Sequence, residues 1–177
     1  MPAIVQWDEI TLSGAASPRL DLADAAGARI TRVLASALAD AGIAPLDAAP
    51  APGPSVALLA ERVLPEAASG SALATAADAA NWGVGPLADT RAPSLVVVHH
   101  VRVRTSAHRL AELGLGLAFS APSLPSGGEE ATYAGLIAPE TGRLVWVMAF
   151  DGERAATETS AEAIADRIVA RLAEDGL

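Results

Sequence analysis

The sequence predicts a mixed α/β (α+β) domain: a single mixed sheet of about four to five strands with helices packed on at least one face. Three observations carry that prediction. The first is residues 131–150, which read as a β-hairpin of about seven residues per strand. Its turn is Pro139-Glu-Thr-Gly142, where proline presets the backbone and Gly142 can rejoin the second strand. The second is the apolar stripe Leu22, Ala26, Ile30, Val33, Leu34, Ala37, Leu38 and Ala41, which recurs at helical spacing. The third is Ser94–Arg104, where Leu95 to Val98 run unbroken and Val101 and Val103 then alternate with Arg102 and Arg104. That switch describes a strand buried on both faces at its start and emerging towards solvent at its end.

Taken in order, Ala3 to Leu12 is a first strand, followed by a Gly-Ser-Pro segment. A helix over Leu22–Ala41 follows, with Asp21 or Asp24 suited to its start and Gly42 to the position just past its end. Ile43 to Leu46 reads as a short strand, and proline keeps Ala48–Pro54 extended as a connector. Two shorter helices are expected over Ser55–Leu64 and Ser71–Trp82, each with a capping serine. After the Ser94 strand and the hairpin, Thr159-Ser-Ala-Glu162 has capping-box spacing and opens a last helix. Its stripe is Ile164, Ile168 and Leu172, with Arg167 and Arg171 where cations suit the helix dipole. The expected order is β-α-β-α-α-β-β-β-α. In the second hairpin strand Leu144, Trp146, Met148 and Phe150 should face one way and Val145, Val147 and Ala149 the other, so both sheet faces need cover.

Composition narrows the function classes. The 177 residues suit one domain with a real core, and the hydrophobic 51% is mostly alanine, valine and leucine, with 3% aromatic. There is no cysteine, hence no disulfide, thiolate nucleophile or thiolate metal site. All 12 basic residues are arginine, and the formal charge of −9 argues against nucleic acid or anionic lipid as the main partner. No apolar run of about 18 residues occurs, and Met1 leads directly into the first strand without a signal peptide. A cytosolic chain or a mature domain with an added Met both fit that start.

Catalytic and ligand motifs do not assemble. Gly83-Val-Gly85-Pro-Leu-Ala88 follows a helix rather than a strand and carries Pro86 inside the turn, so it is not a dinucleotide loop. No nucleophile elbow or Walker loop is present. His99 and His100 are adjacent in a strand and point to opposite faces, so they cannot grip one metal. His108 and Glu112 share a helical spacing but lack a third ligand. Asp8 with Glu9 also face apart, and Glu129 with Glu130 read as solvated. No catalytic, cofactor-binding or metal-ligating residue is assigned, and the chain reads as a non-enzyme.

One segment is unusual. Residues 107–128 form a Gly/Leu-rich insertion in which Leu113, Leu115, Leu117 and Phe119 alternate with Gly114, Gly116 and Ala118. Loops of this length inside a compact domain tend to be functional or disordered. The ribbon reads as an extended strand pair closing the sheet or folding over its open face, as a self-association or partner-docking element, or as a membrane-inserting segment, although it is short for a lone β-strand span. With it, Trp7, Tyr133 and Trp146 are the candidate interaction residues.

Together these pieces resemble a group of bacterial envelope lipoproteins that share one periplasmic α/β domain. The group includes the TolB amino-terminal domain, the curli secretion lipoprotein CsgG and the lipoprotein activators of penicillin-binding proteins. The likeness is carried by Ile4-Val-Gln-Trp7, Ile30 to Gly42, Ala72 to Val98 with Arg91-Ala-Pro-Ser-Leu-Val-Val-Val98, and Pro139-Glu-Thr-Gly-Arg-Leu-Val-Trp146. The chain departs from the group's pattern in lacking a lipobox cysteine, in Gln6 before Trp7, and in Ala92-Pro93. The resemblance implies a non-enzymatic periplasmic accessory or assembly protein that binds an envelope partner or itself, held at the outer membrane by an upstream lipid anchor. Two other readings stand beside it. One is a soluble small-ligand-binding domain or cryptic enzyme with a pocket near His99, His100 and His108; the other is an accessory lipoprotein of a lipid ABC transporter.

Overall fold

The computed structural model describes residues 3–11, 13–43, 94–104, 128–138, 144–153 and 161–176. Within them the chain forms β1 (Ala3–Ile10), β2 (Ala16–Pro18), α1 (Leu20–Asp40), β3 (Ser94–Arg104), β4 (Gly128–Ile137), β5 (Leu144–Glu153) and α2 (Ala161–Glu174). One mixed five-stranded sheet results, in the order β2-β1-β3-β4-β5. β1 and β3 are parallel, and every other neighbouring pair is antiparallel. This is the expected α+β class. The proposed strand at 43–46 and helices at 55–64 and 71–82 fall on residues 44–93, outside the described set; Ile43 alone is described, as non-strand.

The short β2 was not anticipated. It forms because the chain reverses over residues 11–15: the Gly14 N–H donates to the Thr11 carbonyl (2.9 Å), and Gly14 takes φ +79. Asp8, Glu9 and Ile10 then pair with Pro18, Ser17 and Ala16. The Arg19 N–H extends the pairing by donating to the Trp7 carbonyl (2.8 Å). α1 therefore begins beside Trp7.

From there α1 runs back along β1. A Cβ on Gly27 would lie 2.9 Å from the Ala3 carbonyl oxygen, so helix and strand touch backbone to backbone. Thr31 locks the contact: its hydroxyl donates to the Gly27 carbonyl (2.7 Å) and accepts from the Ala3 N–H (2.8 Å). The expected acidic cap is not used. Arg19 occupies the N-cap position without a side-chain cap bond, and Asp21 sits in the first turn, bonded to Arg19 instead. At the far end Gly42 has φ +69; its N–H donates to the Ala39 carbonyl, and that of Ile43 to the Leu38 carbonyl. Those two bonds make a Schellman motif, and Ile43 packs back onto the cluster that contains Leu38.

Both helices lie on one face of the sheet. Ile30, Leu34 and Leu38 from α1 and Ala161, Ile164, Ala165, Ile168 and Leu172 from α2 bury against Leu95, Val97, Ala134 and Leu136. Val5, Trp146, Met148 and Phe150 complete the margins. Arg29 of α1 pairs with Glu162 of α2 at 3.0 Å, an exposed ion pair between the two helices that their shared buried cluster holds together.

The opposite face is also closed over part of its area: Val96, Val98 and Ile137 are fully buried. β3 thus begins buried on both faces and turns outward from His100, as its pattern of runs and alternation implied. One detail differs in β5. A register shift pairs Leu136 with Trp146 but Ile137 with Leu144, so Val145 is skipped. The strict alternation assumed for Leu144–Phe150 is therefore broken at its first residues, which is the effect of a bulge.

Candidate functional site

The sheet register sorts the polar residues of β3 and β4 into two groups on opposite faces. On the helix-covered face, His99 pairs with Thr132, and Val101 pairs with Glu130. His99 Nδ1 and Thr132 Oγ1 share a hydrogen bond of 2.9 Å inside the sheet layer, where His99 is 4% exposed. Glu130 is 5% exposed. That corrects the expectation that both members of Glu129-Glu130 are solvated. Only Glu129 is exposed, because strand alternation turns its neighbour under the layer.

On the other face His100 and Tyr133 meet edge to face, with ring centroids 5.7 Å apart. Beyond them the cross-strand register aligns Asp8, Arg102 and Glu129 in one row. Opposite charges so placed attract weakly, and Arg102 and Glu129 are exposed. His99 and His100 consequently face different spaces, and no single pocket receives both; His108 lies outside the described residues. Among the described residues no three His, Asp or Glu side chains gather as a metal site.

The interaction residues separate in the same way. Leu113, Leu115, Leu117 and Phe119 lie outside the described residues. Trp7 is half-buried in β1 beside Val101, the row above which α1 starts. Trp146 packs on the helix side of the sheet, and its Nε1–H donates to Asp175 Oδ2 (2.8 Å), fastening the end of α2 to β5. Tyr133 is half-buried on the opposite face. The three aromatics do not converge on one patch.

A wide groove of about 500 Å³ runs beside α1, lined by Ala3, Ala23, Asp24, Gly27, Ala28, Thr31 and Arg32. Its small side chains are those that let α1 approach β1, so the groove is a by-product of that contact. Nearby, Arg19 bridges two elements. It holds Asp21 through two bonds (3.0 and 2.9 Å) and Glu9 of β1 through a third (3.1 Å). The bond to Asp21, followed by the charges of Asp21 and Glu9, pushes the guanidinium pKa above its ordinary value. The same bond holds the Asp21 carboxyl below its ordinary 3.8.

The feature best suited to an interaction is β5. It is the terminal strand of the sheet among the described residues, with β4 on one side only. From Trp146 to Phe150 it holds no charge or proline, residues that usually guard an exposed edge, although the bulge at Val145 is itself one such device. Val145 is 57% exposed and Ala149 is exposed as well. Sequence reading placed the weight on the Leu113–Phe119 ribbon and the apolar second sheet face, with the aromatics as candidate anchors, and missed this edge. The signal was present in the unguarded run itself, but which strand ends a sheet depends on tertiary pairing.

An α+β domain with one helix-covered sheet face and, among the described residues, an apolar strand at the sheet's end is the class these features define. No protein-family model, curated protein or solved structure matches the chain.

Proposed function

We propose that this protein is a non-enzymatic accessory or assembly protein of the bacterial cell envelope, working in the periplasm by binding an envelope partner or itself. The observation that carries the binding reading is the β5 edge: among the described residues a strand with one neighbour, uncharged from Trp146 to Phe150, with Val145 exposed. A strand edge offers a row of backbone donors and acceptors to an incoming strand, and apolar side chains beside it supply contact area. The compartment rests on the resemblance of Ile4–Trp7, Ile30–Gly42, the Arg91–Val98 stretch and Pro139–Trp146 to envelope lipoproteins. An upstream lipid anchor belongs to the same proposal.

Photo-crosslinking in the native host tests it, with the reactive residue at the exposed Ala149. Adducts to an envelope protein or to a second copy are the expected result. Adducts to cytosolic proteins alone, or none from position 149 while the protein is present and folded, contradict the proposal.

A further inference from the structure

We propose that the outer face of α1 pairs with the same face of a second copy, the two helices antiparallel about a twofold axis at Ala28. Asp24, Ala28 and Arg32 follow one another at four-residue spacing along one row of the helix, and all three are exposed. Rows of that spacing are the ridges that most often interdigitate when helices pack. This row forms the outer wall of the groove that the contact of Gly27 with Ala3 leaves beside the helix. At its centre the wall is only a methyl group high, so a second helix can come close.

The charges on the row select the occupant. Asp24 and Arg32 stand on opposite sides of Ala28 at equal distance from it. They are about 12 Å apart along the axis, too far to pair with each other. Neither has an oppositely charged residue three or four positions away in the helix. Among the described residues neither joins an ion pair or a hydrogen bond, whereas Asp21 is engaged by Arg19 and Arg29 by Glu162. An antiparallel copy sets Asp24 against Arg32 and Arg32 against Asp24, and a parallel copy would set like against like. Each exposed pair is weak alone, but the twofold makes every contact twice. The row is its own complement, which favours a second copy over an unrelated helix. β5 lies at the far end of the sheet from β2 and β1, so pairing through α1 leaves the proposed binding edge accessible.

Charge reversal tests the pairing by light scattering at low ionic strength, where exposed charges are least screened. The wild type should have the dimer mass. D24R and R32D should each have the monomer mass, because each sets like charges together. Mixing D24R with R32D should give a heterodimer, and the double variant D24R/R32D should recover the dimer, since every pair is again opposite. The positions are exposed, and circular dichroism checks the fold. The chain has no cysteine, so A28C, on the axis, should form a disulfide-linked dimer on oxidation, and A170C, exposed on α2, should not. A wild-type chain that stays monomeric at millimolar concentration would overturn the proposal. So would a dimer that survives both single reversals, or a loss that mixing the two variants does not restore. A chain unaffected by the reversals that still forms adducts from position 149 would reject pairing through α1 while leaving the proposed function intact.

Discussion

Gly27 shows how a single missing methyl group sets the distance between a helix and a sheet. Alanine there would gain up to about 1 kcal/mol of helix propensity. Its Cβ would, however, meet the Ala3 carbonyl at 2.9 Å, and overpacking against backbone costs about 1–3 kcal/mol. Gly27→Ala should therefore destabilise by about 1 kcal/mol and Gly27→Val by more, read as falling midpoints in urea. An increase in stability for Gly27→Ala would contradict the close approach. Thr31→Val removes the hydroxyl that joins Gly27 to Ala3 and should cost about 1–3 kcal/mol, since the Ala3 N–H loses its partner. At Asp21 the carboxyl is held below 3.8, so its contribution to stability is present above that pH and disappears as the pH falls through the lower folded value. The difference in Tm between wild type and Asp21→Asn should be small at pH 7, shrink with added salt, and vanish in strong acid. At this scale the sequence misleads most readily. Nothing in Gly127-Gly128-Glu129-Glu130 says which glutamate is buried until the phase of β4 is known, and the phase follows from pairing with β3.

At the scale of elements, periodicity was the reliable guide. The stripes Ile30/Leu34/Leu38 and Ile164/Ile168/Leu172 named the faces that α1 and α2 bury, because a helix packed on a sheet leaves its imprint every three to four residues. Ile168 of α2 is fully buried in the cluster shared with α1 and the sheet, so Ile168→Ala should cost about 2–5 kcal/mol. The C-terminal end of α1 was equally legible, for Gly42 is the residue that a Schellman motif needs. Gly42→Ala would be forced into φ +69 and should lose about 1 kcal/mol, visible as a lowered Tm. The start of α1 was not legible. Asp21 and Asp24 both have capping side chains, but Arg19 engages Asp21 and the β1–β2 pairing fixes where the helix begins. β2 escaped for a related reason: Ala16-Ser-Pro18 has no strand propensity and becomes a strand only by pairing with Asp8–Ile10.

For the whole molecule, the sheet order gives the two faces different cover. One is filled by α1 and α2, and the other is buried around Val96, Val98 and Ile137 but turns polar from His100 to Arg104. The change of pattern along Ser94–Arg104 made that division readable from the sequence. The edge was not, because whether β5 ends the sheet depends on the whole strand order. The histidines illustrate the gain in going from sequence to fold. Their alternation was foreseeable, but the partners Thr132 and Tyr133 come from the β3–β4 register.

The central claim, an envelope protein that works by binding, is tested most directly by fractionating cells of the native host that carry the complete open reading frame with a C-terminal tag and are fed labelled palmitate. The account predicts labelled protein in the outer-membrane fraction. Unlabelled protein confined to the cytosol would contradict it.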